Sequence, residues 1–424
     1  MRFDIGGYRW RICALLFFAT TINYIDRQVL ALVVTDHTFL ADVGLLGADG
    51  KLNKEMYGYL DAAFKAAYAI GFLIMGNLLD RIGNRKGFSL SIFIWSVAAM
   101  GHAAVHSIPG IGAARFLLGL GEAGNFPGSV KTAAEWFPKK ERAMATGIFN
   151  AGTNIGAILA PLMVPWLVLN YSWRWAFIVT GSLGFIWLIF WLVMFRRPEE
   201  HPKVSREELA YIQSDPPEAT ARIPWLRLLR YRQTWAFAVG KLMTDPVWYL
   251  YLTWLPTFFK EEHAIDIKSM FVPMAAIYLV SDVGSIAGGW LSSHLLHSGW
   301  SANRARKTTF LVCACAVTPI FSAAFTPNIW AAIALIGLAT ASHQGWSTNL
   351  YTIVSDCFPK HAVASVIGIG GTCGAVGGMV MAALSGIIYQ RFGPAPLFVY
   401  GSCAYLLSLG LVHLLNPRLE PVKL

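Results

Sequence analysis

Asp26 and Arg27 stand side by side in a segment that is otherwise apolar from Ile12 to Val34. Ionised groups set in so long an apolar stretch are costly unless they meet partners or a water-filled cavity, so the pair marks a working site. Lys65, Arg115, Glu122, Lys241, Asp245, Asp282 and His343 interrupt other apolar segments in the same way. Arg27 offers a planar fork that pairs bidentately with a carboxylate, and Lys65 or Lys241 offers a second cation, a set suited to a small organic anion. Tyr24, Tyr68, Asn150, Thr153, Gln344 and Asn349 add hydroxyls and amides for a polyhydroxylated body. Asp26 and Glu122 are carboxyls whose charge responds to burial and to a neighbouring guanidinium, the sensitivity that proton exchange requires. Arg115 is assigned as the partner of Asp26, which leaves Arg27 for the bound anion.

The elements that must position these groups are membrane spans. The chain has 424 residues, 55% hydrophobic and only 14% charged, against about 25% charged in ordinary soluble proteins. Stretches of about 20 apolar residues fall near 11–35, 56–79, 87–107, 109–136, 141–168 and 173–195, then near 233–259, 269–297, 308–326, 328–356, 361–389 and 394–415. The sequence therefore predicts an all-α membrane protein of twelve transmembrane helices in two six-helix bundles, 1–195 and 233–424, joined by a linker over 196–232. The first stretch is too long for a signal-peptide core and no small-residue cleavage site follows it, so it reads as a retained helix.

With both termini on the cytoplasmic side, that side receives 23 of the 34 Lys and Arg residues, the opposite side six and the spans five. The asymmetry follows the positive-inside rule and accounts for the net charge of +10 without nucleic acid as a partner. The expected location is a bacterial inner membrane, with the lipid bilayer as solvent and a monomer as the working form. The linker is rich in charge and proline and reads as a solvated connector. Within it Ser205 and Glu208 have capping-box spacing, and Trp225, Leu226, Leu228 and Leu229 among arginines suggest a segment along the membrane surface. The six cysteines show no metal-ligand spacing and are read as structural, with no metal and no cofactor expected.

Counted at ~1.5 Å per residue, Asp26 and Arg27 lie about ten residues from the outer end of their span, Lys65 about nine and Arg115 about six. Glu122 follows Arg115 by two turns on the same face, and Gly119, Gly121 and Gly124 let neighbouring helices approach. The polar groups are predicted to converge on one mid-depth cavity. Lys241 and Asp245, four apart, could equally be a static pair fixing helix packing, as could Asp26 with Arg115. His343 reads as a satisfied core histidine, Lys131 as a snorkelling side chain, and Asp245-Pro246 as a break in the seventh helix. Gly152/Gly156 and Gly370/Gly374/Gly378 read as packing faces.

After the second span comes Gly76-Asn-Leu-Leu-Asp80-Arg81-Ile-Gly83-Asn-Arg85-Lys86, and at the matching place in the second half stands Gly288-Gly289-Trp-Leu-Ser-Ser-His294 with Arg304, Arg306 and Lys307 following. This resembles the signature loop of the major facilitator superfamily, and the resemblance implies gating roles for Asp80, Arg81, Gly83 and Arg85. Asn23-Tyr24-Ile-Asp26-Arg27 and Arg115 to Glu122 through Pro127 resemble the anion:cation symporter family within it. That likeness implies proton coupling at Asp26 and Glu122 and anion binding at Arg27. Phe64-Lys65 to Gly71, Lys241 to Tyr249, Trp254-Leu-Pro256 and His343 to Asn349 look like its bacterial hexuronate branch, which implies glucuronate or galacturonate as substrate.

The expectation is a proton-coupled importer of a sugar acid working by alternating access, with H+, or Na+ in its place, as the co-transported ion. The alternative is an organic-anion or sugar-phosphate antiporter. An enzyme is not expected, because the longest hydrophilic stretch is the linker and no catalytic constellation is present.

Overall fold

The apolar runs become helices because, at membrane depth, only a helix satisfies its own backbone polar groups. The computed structural model describes residues 7–214, 225–358 and 360–422. The first part of the chain forms α1 (Tyr8–Val33), α2 (His37–Val43), α3 (Lys54–Ile82), α4 (Asn84–Gly101), α5 (Ile108–Glu122), α6 (Asn125–Trp136), α7 (Lys139–Asn170) and α8 (Trp173–Met194). The linker holds α9 (Arg206–Ile212) and α10 (Trp225–Leu228). There follow α11 (Arg232–His263), α12 (Phe271–His297), α13 (Ala302–Val317), α14 (Ile329–Cys357), α15 (Lys360–Phe392) and α16 (Ala395–Leu415). Taking α5 and α6 as one interrupted span and setting aside α2, α9 and α10, the described residues hold the expected twelve spans. Among the described residues, seven helices are by length and composition apolar enough to cross a membrane.

Two local readings need correction. The fourth span is not continuous: α5 ends at Glu122 and α6 begins at Asn125. The break lies where small residues let α4 come close, since a Cβ on Gly121 would sit 2.5 Å from the Trp95 nitrogen and one on Gly124 would collide with the Ser91 hydroxyl. Conversely, the seventh span does not break at Pro246; α11 runs through both Pro246 and Pro256. The Leu242 carbonyl, which lacks a proline N–H to accept from, is covered by α15 at Gly377, where a Cβ would meet it at 2.6 Å. In the connection after α1, Asp36 accepts from the Phe39 amide at 3.0 Å and starts α2.

The chain falls into two compact units, Met1–Lys51 with Ala66–Ala219, and Leu52–Lys65 with Thr220–Leu424. One boundary falls at 219/220, within the linker, and another lies inside α3. The cause is close packing in the second unit: a Cβ on Gly58 would lie 2.8 Å from the Ala382 carbonyl, and Tyr57 donates to the Thr253 carbonyl at 3.1 Å. In the first unit α1 lies on α7, where Gly152 and Gly156 face the carbonyls of Phe17 and Thr21, as their spacing predicted. In the second, α11 lies on α15 and α12 on α14 by the same use of small residues.

The linker is more than a connector over 206–212. Ser205 caps α9 by accepting from the Glu208 amide at 3.0 Å, but the Glu208 carboxylate does not return to Ser205. It accepts instead from the Tyr8 and Arg9 amides at 3.0 and 3.1 Å, capping α1. Arg9, itself buried, donates to Glu141 at 3.0 Å and to Glu208 at 3.3 Å, and Tyr211 donates to the other Glu141 oxygen at 2.8 Å. Glu208→Ala removes a helix cap and one carboxylate beside a buried cation; it is expected to cost about 1–2 kcal/mol, read as a lower apparent Tm of the purified protein in detergent. Glu208→Gln, which keeps the accepting oxygen, should recover part of that loss. The cap reading fails if the two variants melt alike. Residues 215–224 and the Trp225 side chain lie outside the described residues, while Leu226 is exposed and Leu228 buried.

Candidate functional site

Asn23, Tyr24 and Arg27 share a face of α1 because they are spaced three and four residues apart. Arg27 turns from that face to α5, where Nε and Nη2 donate to one oxygen of Glu122 at 2.9 and 2.8 Å. Nη2 also meets Asn23 Oδ1 at 3.5 Å. The guanidinium carbon lies 4.8 Å from the ring centres of both Tyr24 and Tyr68, so two aromatic rings hold it. Glu122 has 0% exposure, and its second oxygen, Oε1, is buried with no hydrogen-bond partner.

The expected pairing is therefore exchanged. Among the described residues no ion pair joins Asp26 to Arg115; Glu122, not a free space, receives Arg27. Successive residues on a helix point about 100° apart, so Asp26 cannot share the direction of Arg27. Asp26 lies instead beside Thr180 of α8, and both of its oxygens and the Thr180 hydroxyl are buried outside hydrogen-bond geometry. The Arg115 charge lies by Glu122 and His102.

Lys65 and Lys241 each have a carboxylate one helical turn away. Lys65 pairs with Asp61, which sequence reading missed although the i, i+4 spacing on α3 was available. Thr253 donates to the same Asp61 oxygen at 2.8 Å, and the Lys65 ammonium lies 5.0 Å from the Tyr249 ring centre. Lys241 meets Asp245 at 2.8 Å and the Tyr351 hydroxyl at 3.2 Å, the pair that spacing allowed. Asp61→Asn leaves a buried ammonium uncompensated and is expected to cost about 3–5 kcal/mol. Adding Lys65→Met should return the apparent Tm towards wild type; a double variant that melts as low as the single one would show that the pair is not what Asp61 supports.

The remaining polar candidates divide. Thr153 is buried and Asn150 exposed on α7, and Gln344 is half-buried on α14. The Nδ2 of Asn349 donates to the Gly288 and Gly345 carbonyls at 3.0 and 2.9 Å, tying α14 to α12, while its Oδ1 is buried with no hydrogen-bond partner. His343 is a core histidine as expected, 2.6 Å from the Tyr405 hydroxyl and stacked at 5.0 Å on Trp248.

In the motif after the second span, Gly83 has φ of 81°, a conformation that favours glycine, and starts the turn into α4. Arg81 is exposed, and Arg85 donates to the Leu192 carbonyl at the end of α8. The Asp80 side chain lies outside the described residues. In the second half, Arg306 donates to Asp356 at 3.1 Å and to Ser292 at 2.6 Å, so the repeated motif has an acid, Asp356, that sequence reading did not connect to it.

Chemically, the three cations proposed for an anion each rest on an internal carboxylate. Each pair is electrically balanced by itself, and any carboxylate approaching the Arg27 fork would compete with Glu122.

Residues 16–382 and 295–423 match the description of the Major Facilitator Superfamily. A hexuronate transporter of Escherichia coli (strain K12) is 31% identical over 404 residues, 93% of this chain and 90% of that protein. A galacturonate transporter of Dickeya chrysanthemi is 32% identical over 68% of this chain and 83% of its own length. A D-galactonate transporter of Escherichia coli O6:H1 is 28% identical over 96% of each. Among solved structures, a bacterial homologue of the human lysosomal transporter Spinster superposes with a TM-score of 0.72 at 17% identity, covering 97% of this chain and 96% of that one, a likeness of fold. The chain belongs to the major facilitator superfamily, as an integral, multi-pass membrane transporter.

Proposed function

We propose that this transporter takes up a sugar acid of the hexuronate class together with protons, by alternating access of its two units. The observation that carries the reading is the Arg27–Glu122 pair: the fork suited to a substrate carboxylate is held by a fully buried acid. Protonation of Glu122 releases Arg27 and at the same time removes the charge that would repel an arriving anion. Proton and substrate then load together, and loss of the proton returns Glu122 to Arg27 and expels the anion. Asp26, with Thr180 beside it, is a second proton-accepting group, and Arg115 biases Glu122 through its charge. Tyr24, Tyr68, Asn150, Thr153 and Gln344 address the hydroxylated body of the sugar, while Lys65 and Lys241 take part only where Asp61 and Asp245 release them. Arg81, Gly83, Arg85 and Asp80 serve the change of state.

The hexuronate class is supported by the relatives that transport hexuronate and galacturonate. The basic loops support a bacterial inner membrane with both termini cytoplasmic, and nothing in the mechanism requires more than a monomer. Uptake of labelled glucuronate and galacturonate into proteoliposomes, with the pH gradient imposed, reversed or absent, tests the coupling. Accumulation that follows the proton gradient supports symport. Exchange driven only by internal anion selects an antiporter, and dependence on a Na+ gradient reassigns the coupling ion.

A further inference from the structure

The face of α11 that carries Lys241 and Asp245 also carries Trp248, because these residues are spaced four and three apart. An ion pair at span depth is costly against lipid, so this face is turned to protein or to a water-lined space. Asp245 and Trp248 are both half-buried, which leaves part of the indole on the same polar side as the pair. These groups, and those packed on them, all belong to the second unit.

One side of the indole is fixed. The His343 ring lies nearly parallel to it, with centroids 5.0 Å apart and planes inclined by 8°. His343 is buried, and its Nδ1 is 2.6 Å from the hydroxyl of Tyr405, which is fully buried and packed edge-on against Trp346. Tyr278, also fully buried, meets the indole edge-on with centroids 6.2 Å apart. The indole is thus a flat surface braced by side chains of α14 and α16, with an ammonium and a carboxylate 2.8 Å apart on the same helix face. This chemistry fits a sugar ring. A pyranose gathers its C–H bonds on one face, and those weakly positive hydrogens meet the negative face of a π-system. Neighbouring ring hydroxyls can donate to Asp245 and accept from Lys241. An open-chain sugar acid has no such face, because its carbons rotate independently.

We propose that Trp248, braced by His343, is the surface on which the sugar ring of the substrate rests, and that it selects cyclic sugar acids over open-chain ones. This rests on the hexuronate reading above and adds the ring form to it. The test is calorimetric binding to the full chain in detergent, with glucuronate and galacturonate as cyclic acids and galactonate and galactarate as open-chain ones. Wild type should bind the cyclic acids at least about tenfold more tightly. Trp248→Leu should weaken them by about tenfold, and the open-chain acids by less than about twofold. Trp248→Phe, which keeps an aromatic face, should lose much less. Where the open-chain acids bind too weakly to measure, this contrast between Leu and Phe decides. His343 is a positioning residue: His343→Ala should lower the preference for the cyclic acids, and His343→Phe, which keeps the stacked ring without the Tyr405 contact, should retain it. A purely structural role would weaken all the acids together. Equal weakening of both kinds, unchanged hexuronate affinity in Trp248→Leu, equal losses in the Leu and Phe variants, or a wild type without preference overturns the proposal and leaves the hexuronate reading standing. A wild type that binds no hexuronate overturns that reading, and the proposal with it.

Discussion

Replacing Glu122 by Gln is expected to abolish proton-driven accumulation of a hexuronate while leaving exchange across the membrane intact. In the resting protein two Arg27 donors converge on one Glu122 oxygen at 2.9 and 2.8 Å. Bonds to a charged group contribute about 1.5–3 kcal/mol and neutral ones about 0.5–1.5. The Glu122→Gln change thus turns strong competition for the fork into weak competition, a difference of about 1–2 kcal/mol, or roughly tenfold in affinity. The sign with pH follows. Wild-type affinity should fall as pH rises, because ionised Glu122 reclaims Arg27. In Glu122→Gln only the shallower dependence contributed by Asp26 should remain between about pH 6 and 8.5, and affinity should exceed wild type at the alkaline end by roughly tenfold. The charges facing Glu122 are Arg27, Arg115 and Asp26, and only the last can add a second proton-dependent step. Binding by isothermal calorimetry at several pH values, with gradient-driven uptake and counterflow in the same proteoliposomes, checks the claim. A Glu122→Gln variant that still accumulates substrate up a concentration gradient would remove Glu122 from the coupling.

How much of this was legible in the sequence depended on the range of the interaction. The spans were readable because lipid penalises every interruption of an apolar helix, so their order survives in the succession of apolar stretches. Packing faces such as Gly152/Gly156 were readable for a related reason: small residues one turn apart have few other uses inside a span. The pairings were not. Asp26 and Arg27 could be seen to need partners, but which carboxylate Arg27 meets is set by the orientation of α1 against α5 and by the break after Glu122, neither of which leaves a periodic signal. Asn349 shows the same limit. A polar amide at mid-depth looks like a ligand, and here half of it, Nδ2, also binds backbone carbonyls where α12 and α14 approach through Gly288 and Gly345. Glu208 was assigned to its own helix by local spacing and was taken by the amides of α1, two hundred residues earlier. Only Asp61 was within reach of a local rule, four residues before Lys65, and was passed over.

Arg27→Lys is expected to reduce transport by about 100-fold or more while leaving the protein folded. A lysine keeps the positive charge beside Glu122, so the buried pair persists and apparent Tm should stay close to wild type. What it loses is geometry. One ammonium cannot present two parallel donors to a carboxylate, and it lacks the plane that Tyr24 and Tyr68 hold at 4.8 Å on each side. Losing one charge-assisted hydrogen bond and the ring contacts amounts to about 3 kcal/mol, close to two powers of ten. A purely structural role is separated by a second pair of variants. Arg27→Met alone leaves Glu122 buried and charged, and should cost about 3–5 kcal/mol. Arg27→Met with Glu122→Met replaces the ion pair by apolar side chains and should recover most of that stability. Measured together, a stable double variant without transport and a stable Arg27→Lys variant with transport near zero place Arg27 in substrate recognition. A double variant that transports at wild-type rate would show that the fork serves only to hold α1 against α5, and the substrate carboxylate would then have to be sought at Lys241 or Lys65, where the competing acids are Asp245 and Asp61.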